Sequence, residues 1–248
     1  MCFIDTPNLP NKNVKLAAVS NKFPKVIDSL NKLQIQVLPI KTCDNLSSPV
    51  NTHPDMILHH LGKNKIIVAK GEDYLATNLQ KIGFKTICSD SSLEKLYPGD
   101  IKLNAARIGD KLFANKIYLD SNIKHYCEKN NIEIISVKQG YTKCSTVIVN
   151  KCSIITADFS IAKAAEKYNI DVLRISQGHI QLKGYEYGFL GGACGMIGKN
   201  KLAFAGNIKN HPDYNIIKKF CSNRNVDIIS LSDEILTDVG GIIPLTVE

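Results

Sequence analysis

Five times along the chain an apolar run, an amphipathic stretch and a second β-rich run follow one another, and this repeat limits the possible folds more than any other feature. The first apolar runs start at Leu16, Ile66, Leu112, Ile154 and Leu202. Their spacings of 50, 46, 42 and 48 residues are each the length of one supersecondary unit. The helical stretches span 24–33, 72–82, 119–130, 159–168 and 212–223, with apolar residues three and four apart, as in Ile161, Ala164, Ala165 and Tyr168. Asp158 and Asn210 stand where N-caps belong, and Pro212 suits a first helical turn. Short alternating runs follow at Ile35, Phe84, Ile132, Ile170 and Val226. Ahead of the last four apolar runs, turns such as Leu61-Gly62-Lys63-Asn64 and Ile197-Gly198-Lys199-Asn200 predict a hairpin to one further strand. The unit is therefore ββαβ.

The first unit lacks its leading strand, whereas the last is followed by a surplus one over 241–247. A ring resolves both facts, because the C-terminal strand can complete the first unit and leave no open end. The expected fold is α/β, a five-bladed α/β-propeller in a single domain over 1–248, with 41–52 a loop between units. An open, doubly wound α/β sheet is the alternative. It explains the alternation of strands and helices, but neither the hairpins nor the leftover strand.

Composition excludes several classes. Hydrophobic residues at 44% and charged residues at 22% belong to a globular chain, not a disordered one. No apolar run approaches the ~18–20 residues that cross a bilayer. The first residues lack the basic and apolar regions of a signal peptide, so a soluble cytoplasmic protein with no membrane partner is expected. The net charge of +8 comes from lysine, with only Arg107, Arg174 and Arg224 as arginines, and there is no Trp. A lysine-coated surface fits this better than a nucleic-acid reader, which favours the arginine fork and stacking platforms. Eight cysteines without a secretory signal, a CxxC or an HExxH read as reduced thiols, with no metal and no cofactor.

A ring of five ββαβ units resembles the pentein fold of the guanidine-modifying superfamily, which includes agmatine and arginine deiminases, dimethylarginine dimethylaminohydrolases and amidinotransferases. The segment 233–245, with its Ile235-Leu236 and Gly240-Gly241 elements, resembles the C-terminal stretch that carries the superfamily's nucleophilic cysteine. Here that cysteine would fall near Pro244 or Leu245, and neither is a nucleophile. The superfamily's Gly-His-x-Asp element at the fourth unit reads Gly140-Tyr141-Thr142-Lys143, which keeps only the glycine. Segments 140–146 and 191–195 are similar to those of an uncharacterised bacterial branch. The resemblance implies a small amidine- or guanidine-like ligand. It also implies that any thiol chemistry uses a different cysteine.

In such a ring the leading strands line the axis, so the residues that precede them are the candidates. They are His53 and Asp55, Asn104, Lys143, Cys144, the Gly191-Gly192-Ala193-Cys194 run and Asp238. Three glycines within 191–195 indicate either backbone close to a ligand or strands crowding the axis. In the enzymatic reading Cys194 attacks an electrophilic carbon while His53 or His179 moves the proton. Asp55, Asn104, Lys143, Gly191, Gly192 and Asp238 would bind the substrate. His53 and Asp55 are expected to share one face of a strand. Lys143 and Cys144 are expected to alternate across another, with Cys144 a buried structural residue. His59 and His60 should diverge. The competing readings are a non-catalytic binder and an α/β interaction protein.

Overall fold

The structure, a computed structural model, describes residues 2–248. The first repeat draws on both ends of the chain, with β1 (Cys2–Phe3), β2 (Val14–Ser20), α1 (Pro24–Lys32) and β3 (Gln36–Ile40). The second holds α2 (Pro54–Ile57), β4 (Leu58–Gly62), β5 (Lys65–Val68), α3 (Asp73–Ile82) and β6 (Lys85–Cys88). The third runs through β7 (Ala106–Ile108), β8 (Lys111–Ala114), α4 (Ser121–Lys129) and β9 (Glu133–Ser136). The fourth contains β10 (Val147–Asn150), β11 (Ser153–Thr156), α5 (Phe159–Glu166) and β12 (Asp171–Arg174). The fifth contains β13 (Cys194–Gly198), β14 (Lys201–Phe204), α6 (Tyr214–Ser222) and β15 (Asp227–Ser230), and β16 (Ile243–Val247) ends the chain.

In repeats two to five the hairpin strands pair antiparallel, and the strand beyond the helix returns parallel to the second. The first repeat is completed as a ring requires. β16 pairs antiparallel with β2, placing Ile243 opposite Ala18 and Pro244 opposite Ala17. The result is five small sheets, the pentein arrangement, in place of one open sheet. One strand was not foreseen: β1 pairs with the outer edge of β16, Cys2 opposite Val247.

Burial separates the inside of the ring from the outside. β4 and β16 are buried along their whole length and β10 and β13 nearly so, while the outer strand β15 has exposed ends. The helices cover the outer side through one stripe each, as Ile161, Ala162 and Ala165 do in α5. That helix stops at Glu166, so Tyr168 lies beyond it at the surface. After each of the five long helices one residue adopts left-handed backbone before the next strand: Gln34, Gly83, Asn131, Asn169 and Asn225. Asparagine tolerates that conformation better than other residues with a Cβ, which explains its recurrence.

Helix starts match the sequence reading in part. Asp158 Oδ1 accepts the Ile161 amide at 2.8 Å and caps α5. Asp120 does the same for α4, accepting from Asn122 and Ile123 at 2.9 and 3.3 Å. Asn210 and Pro212, however, lie ahead of α6, which begins at Tyr214. A short 3-10 turn, Ile208–Asn210, comes first, and His211 Nδ1 accepts the Asp213 amide at 3.1 Å. Local hydrogen bonds thus delay the helix by two residues. Among the described residues no helix is long and apolar enough to cross a membrane.

Candidate active site

The segments that lead into the strands of the ring converge at its axis. His53 follows a 3-10 turn and Pro54 opens α2, so the chain enters β4 only at Leu58. His53 and Asp55 therefore do not share a strand face. Proline at the first helical position turns the chain instead, and both side chains are buried against different partners. The Asp55 amide donates to Gly240 O, which ties this turn to the C-terminal segment.

Lys143 and Cys144 also lie outside a strand, in the turn that precedes β10. Strand alternation does not govern them, and both reach inward. Lys143 Nζ donates to Gly191 O at 3.3 Å, and Cys144 Sγ donates to Asp55 Oδ2 at 3.0 Å. Asn104 fixes this geometry. Its Nδ2 donates to Asp55 O at 3.2 Å and to Cys144 Sγ at 3.1 Å, while its Oδ1 accepts the Lys143 amide at 2.7 Å. One buried amide thus joins repeats two, three and four.

Asp238 enters from the C-terminal segment. Its carboxylate accepts the Phe189 amide at 2.9 Å and the Gly240 amide at 3.0 Å, and it lies 3.7 Å from His53 Nδ1. Gly191 and Gly192 belong to a 3-10 turn, Leu190–Ala193, and not to a strand. A Cβ on Gly192 would fall 2.1 Å from Asp238 Oδ1, and one on Gly191 would fall 2.6 Å from Cys144 O. These glycines make room for Asp238 and for the Cys144 turn.

Two candidates stand outside this hydrogen-bonded group. Cys194 is the first residue of β13, and its thiol packs in the core with Met196, Phe204 and Cys221, reaching the group only through a 4.0 Å contact with Gly191 O, the carbonyl that accepts Lys143 Nζ. His179 is exposed, its ring centroid 5.4 Å from that of His211. His59 and His60 diverge, with ring nitrogens against Leu103 O and Lys63 O.

His53, Cys144 and Asp238 line a cavity of about 250 Å³. Its remaining wall is largely aromatic, from Tyr141, Tyr185, Tyr187 and Phe189, with Glu186 adding a second carboxylate to that of Asp238. The run Tyr185-Glu186-Tyr187-Gly188-Phe189 was the visible sequence signal for this wall, and the sequence reading passed over it. Charge and burial set the protonation states. Burial pushes the Asp55 carboxyl up to about 7, and the Lys143 ammonium only partly offsets this. Burial and then the Asp55 and Asp238 carboxylates push the Cys144 thiol well above its ordinary value. Burial lowers His53, so its imidazole is neutral near pH 7. Neither of its ring nitrogens has a hydrogen-bond partner, nor does Asp55 Oδ1.

His53, Asp55 and Cys144 each offer one donor atom within 4.8 Å of the others. A nitrogen, oxygen and sulfur set of this kind suits Zn²⁺. Here the thiol keeps its proton and shares it with Asp55. The arrangement therefore provides a thiol beside a proton acceptor, and a neutral imidazole beside a second carboxylate.

A family of unknown function (DUF6873) matches residues 18–243. No curated protein matches the chain in sequence. Among solved structures, the fold is similar to that of DDAH from Pseudomonas aeruginosa complexed with citrulline, with a TM-score of 0.58 and 10% identity, covering 89% of this chain and 93% of that one. Agmatine deiminase from C. jejuni with substrate bound gives 0.58 and 11%, covering 99% and 96%. SxtG, an amidinotransferase of the saxitoxin biosynthetic pathway in Microseira wollei, gives 0.56 and 13%, covering 93% and 91%. At such identities the likeness establishes the pentein fold.

Proposed function

The chain belongs to that family of unknown function, and we propose that it is a cytoplasmic, thiol-dependent enzyme acting on a small amidine or guanidine, with Cys144 as the nucleophile. The observation that carries this reading is the 3.0 Å contact between Cys144 Sγ and Asp55 Oδ2 beside a cavity with further carboxylates and aromatic walls. A planar cation stacks on aromatic faces and pairs with carboxylates, so this lining suits an amidinium. Eight free cysteines agree with a reducing compartment.

The chemistry follows from the charges. An amidinium entering the cavity beside Asp238 and Glu186 offsets the negative charge that adds to burial in holding the Cys144 thiol protonated. The thiol proton passes to Asp55, and sulfur adds to the amidinium carbon. The C–N bond then breaks, and the departing amine takes the proton from Asp55. Water adds to the resulting thioimidate as neutral His53 takes its proton, the C–S bond breaks to leave the amide, and Cys144 regains the proton from His53. The net change is amidine plus water to amide plus amine.

Chloroacetamidine against chloroacetamide tests this directly, since the two alkylators differ in charge. The cation should label Cys144 selectively and many times faster, and Asp238→Asn should reduce that preference. Equal rates, or labelling centred on Cys194, would remove the proposal. A non-catalytic amidine binder is the second reading, favoured by the resting protonation of Cys144. It predicts thermal stabilisation by amidines without turnover.

A further inference from the structure

A second cavity, of about 170 Å³, adjoins the first across Tyr187 and Phe189, which line both. The turn before β10 serves the two in succession: Cys144 lines the first, and its neighbour Ser145 lines the second. Two buried polar atoms of the second cavity make no hydrogen bond within the protein, Ser145 Oγ and His211 Nε2. These residues are 5% and 3% exposed, so each polar atom lacks a partner where one is worth most.

The chemistry of the missing partner follows from the His211 ring. Its Nδ1 accepts the Asp213 amide at 3.1 Å, which places the proton of the neutral imidazole on Nε2. Nε2–H is therefore a donor without an acceptor, and the Ser145 hydroxyl is a second donor. Charge decides between acceptors. No lysine or arginine among the described residues lines this cavity, and Asp158 does. Asp158 is itself occupied, its carboxylate accepting from Gln139 Nε2, Ser160 Oγ and the Ile161 amide. A carboxylate ligand would meet that charge without a counter-ion, and an amidinium offers no acceptor.

The geometry points to a second binding site, distinct from the thiol cavity, that takes the neutral carbonyl of a primary amide or urea on Ser145 Oγ and His211 Nε2. Gln139 does not compete for the ligand, because its Oε1 accepts the Tyr141 amide at 3.1 Å. Burial holds the His211 ring below its ordinary value and so keeps it neutral.

The test follows the His211 imidazole ¹H–¹⁵N resonances in Cys144→Ala protein, which cannot perform the thiol chemistry, so the result is independent of the proposed reaction. Acetamide and urea should shift these resonances saturably, while sodium acetate and acetamidine should not. Ser145→Ala should weaken acetamide binding at least several-fold with the fold intact by circular dichroism. Unmoved resonances with acetamide and urea, equal binding of acetate, or unchanged affinity in Ser145→Ala would each overturn the assignment. A ring proton found on Nδ1 would do the same.

Discussion

Cys144 and Cys194 stand 50 residues apart, ahead of the hairpins of successive repeats, and both are buried. Their chemistry differs because Cys144 precedes its strand and Cys194 begins one. A residue of a lead-in turn projects toward the axis, where side chains from other repeats converge. The first residue of a strand is caught in the ladder, and Cys194 pairs with Phe204 in a wall of apolar neighbours. Burial is the main cause that pushes the Cys194 thiol up to about 12, with the Lys143 ammonium partly offsetting it and Cys221 and Asp238 adding to it from a distance. At Cys144 burial acts together with two carboxylates, an effect that a bound cation can reverse.

The sharpest way to break this comparison is to exchange the thiols for hydroxyls. Cys144→Ser should lower amidine turnover by roughly a thousandfold or more, measured as steady-state kcat. Cys194→Ser should leave kcat nearly unchanged and lower stability by about 1–3 kcal/mol in urea denaturation, since its hydroxyl would be buried without a partner. Reversed results would move the nucleophile to repeat five.

Acidity offers the next contrast. The Asp55 carboxyl keeps its proton up to about 7 when folded, while the unfolded chain releases it near 3.8. In that window the unfolded state binds fewer protons, so this group's contribution to stability falls as pH rises and levels off above about 7. The wild-type minus Asp55→Asn difference in thermal midpoint should therefore decline from pH 4 to pH 7, whereas wild type minus Cys194→Ser should stay flat. Taking differences matters, because the buried His59 and His60, held at about 4, tilt the whole protein's stability the opposite way.

Two glycines separate steric cost from function. A Cβ on Gly195 would fall 1.9 Å from Ile242 O, and one on Gly192 would meet the Asp238 carboxylate. Alanine at either should cost about 1–3 kcal/mol. Only Gly192→Ala should also reduce the chloroacetamidine preference, by displacing Asp238. The smallest effect lies away from the axis, where Asp120→Ala should cost about 1 kcal/mol of stability and leave the labelling of both cysteines unchanged.

Much of the ring is legible in the sequence. The five helices fall within about two residues of the stretches read from apolar spacing, and the closing pair of β16 with β2 follows from a missing strand at one end and a surplus one at the other. The site was legible only as a set of neighbours. His53, Asp55, Asn104, Lys143 and Asp238 stand in lead-in segments and do meet, and the cysteine whose thiol bonds within that group is Cys144 rather than Cys194. What differs from the sequence reading is the extent of the strands: 142–145 and 190–193 form turns, so Lys143 and Cys144 do not alternate and Gly191–Ala193 lie outside the strand that Cys194 begins.

The chain alone determined its periodicity, its ββαβ unit and the closure of the ring, because helix and strand periods and turn residues are written locally. Tertiary structure decided the direction of each side chain at the axis, the proton shared between Cys144 and Asp55, and the second cavity behind Tyr187 and Phe189. These depend on groups far apart in the chain, 89 residues in the Cys144–Asp55 pair, and on their burial in the folded ring. Burial and long-range charge set the chemistry here, and neither is encoded within a single repeat.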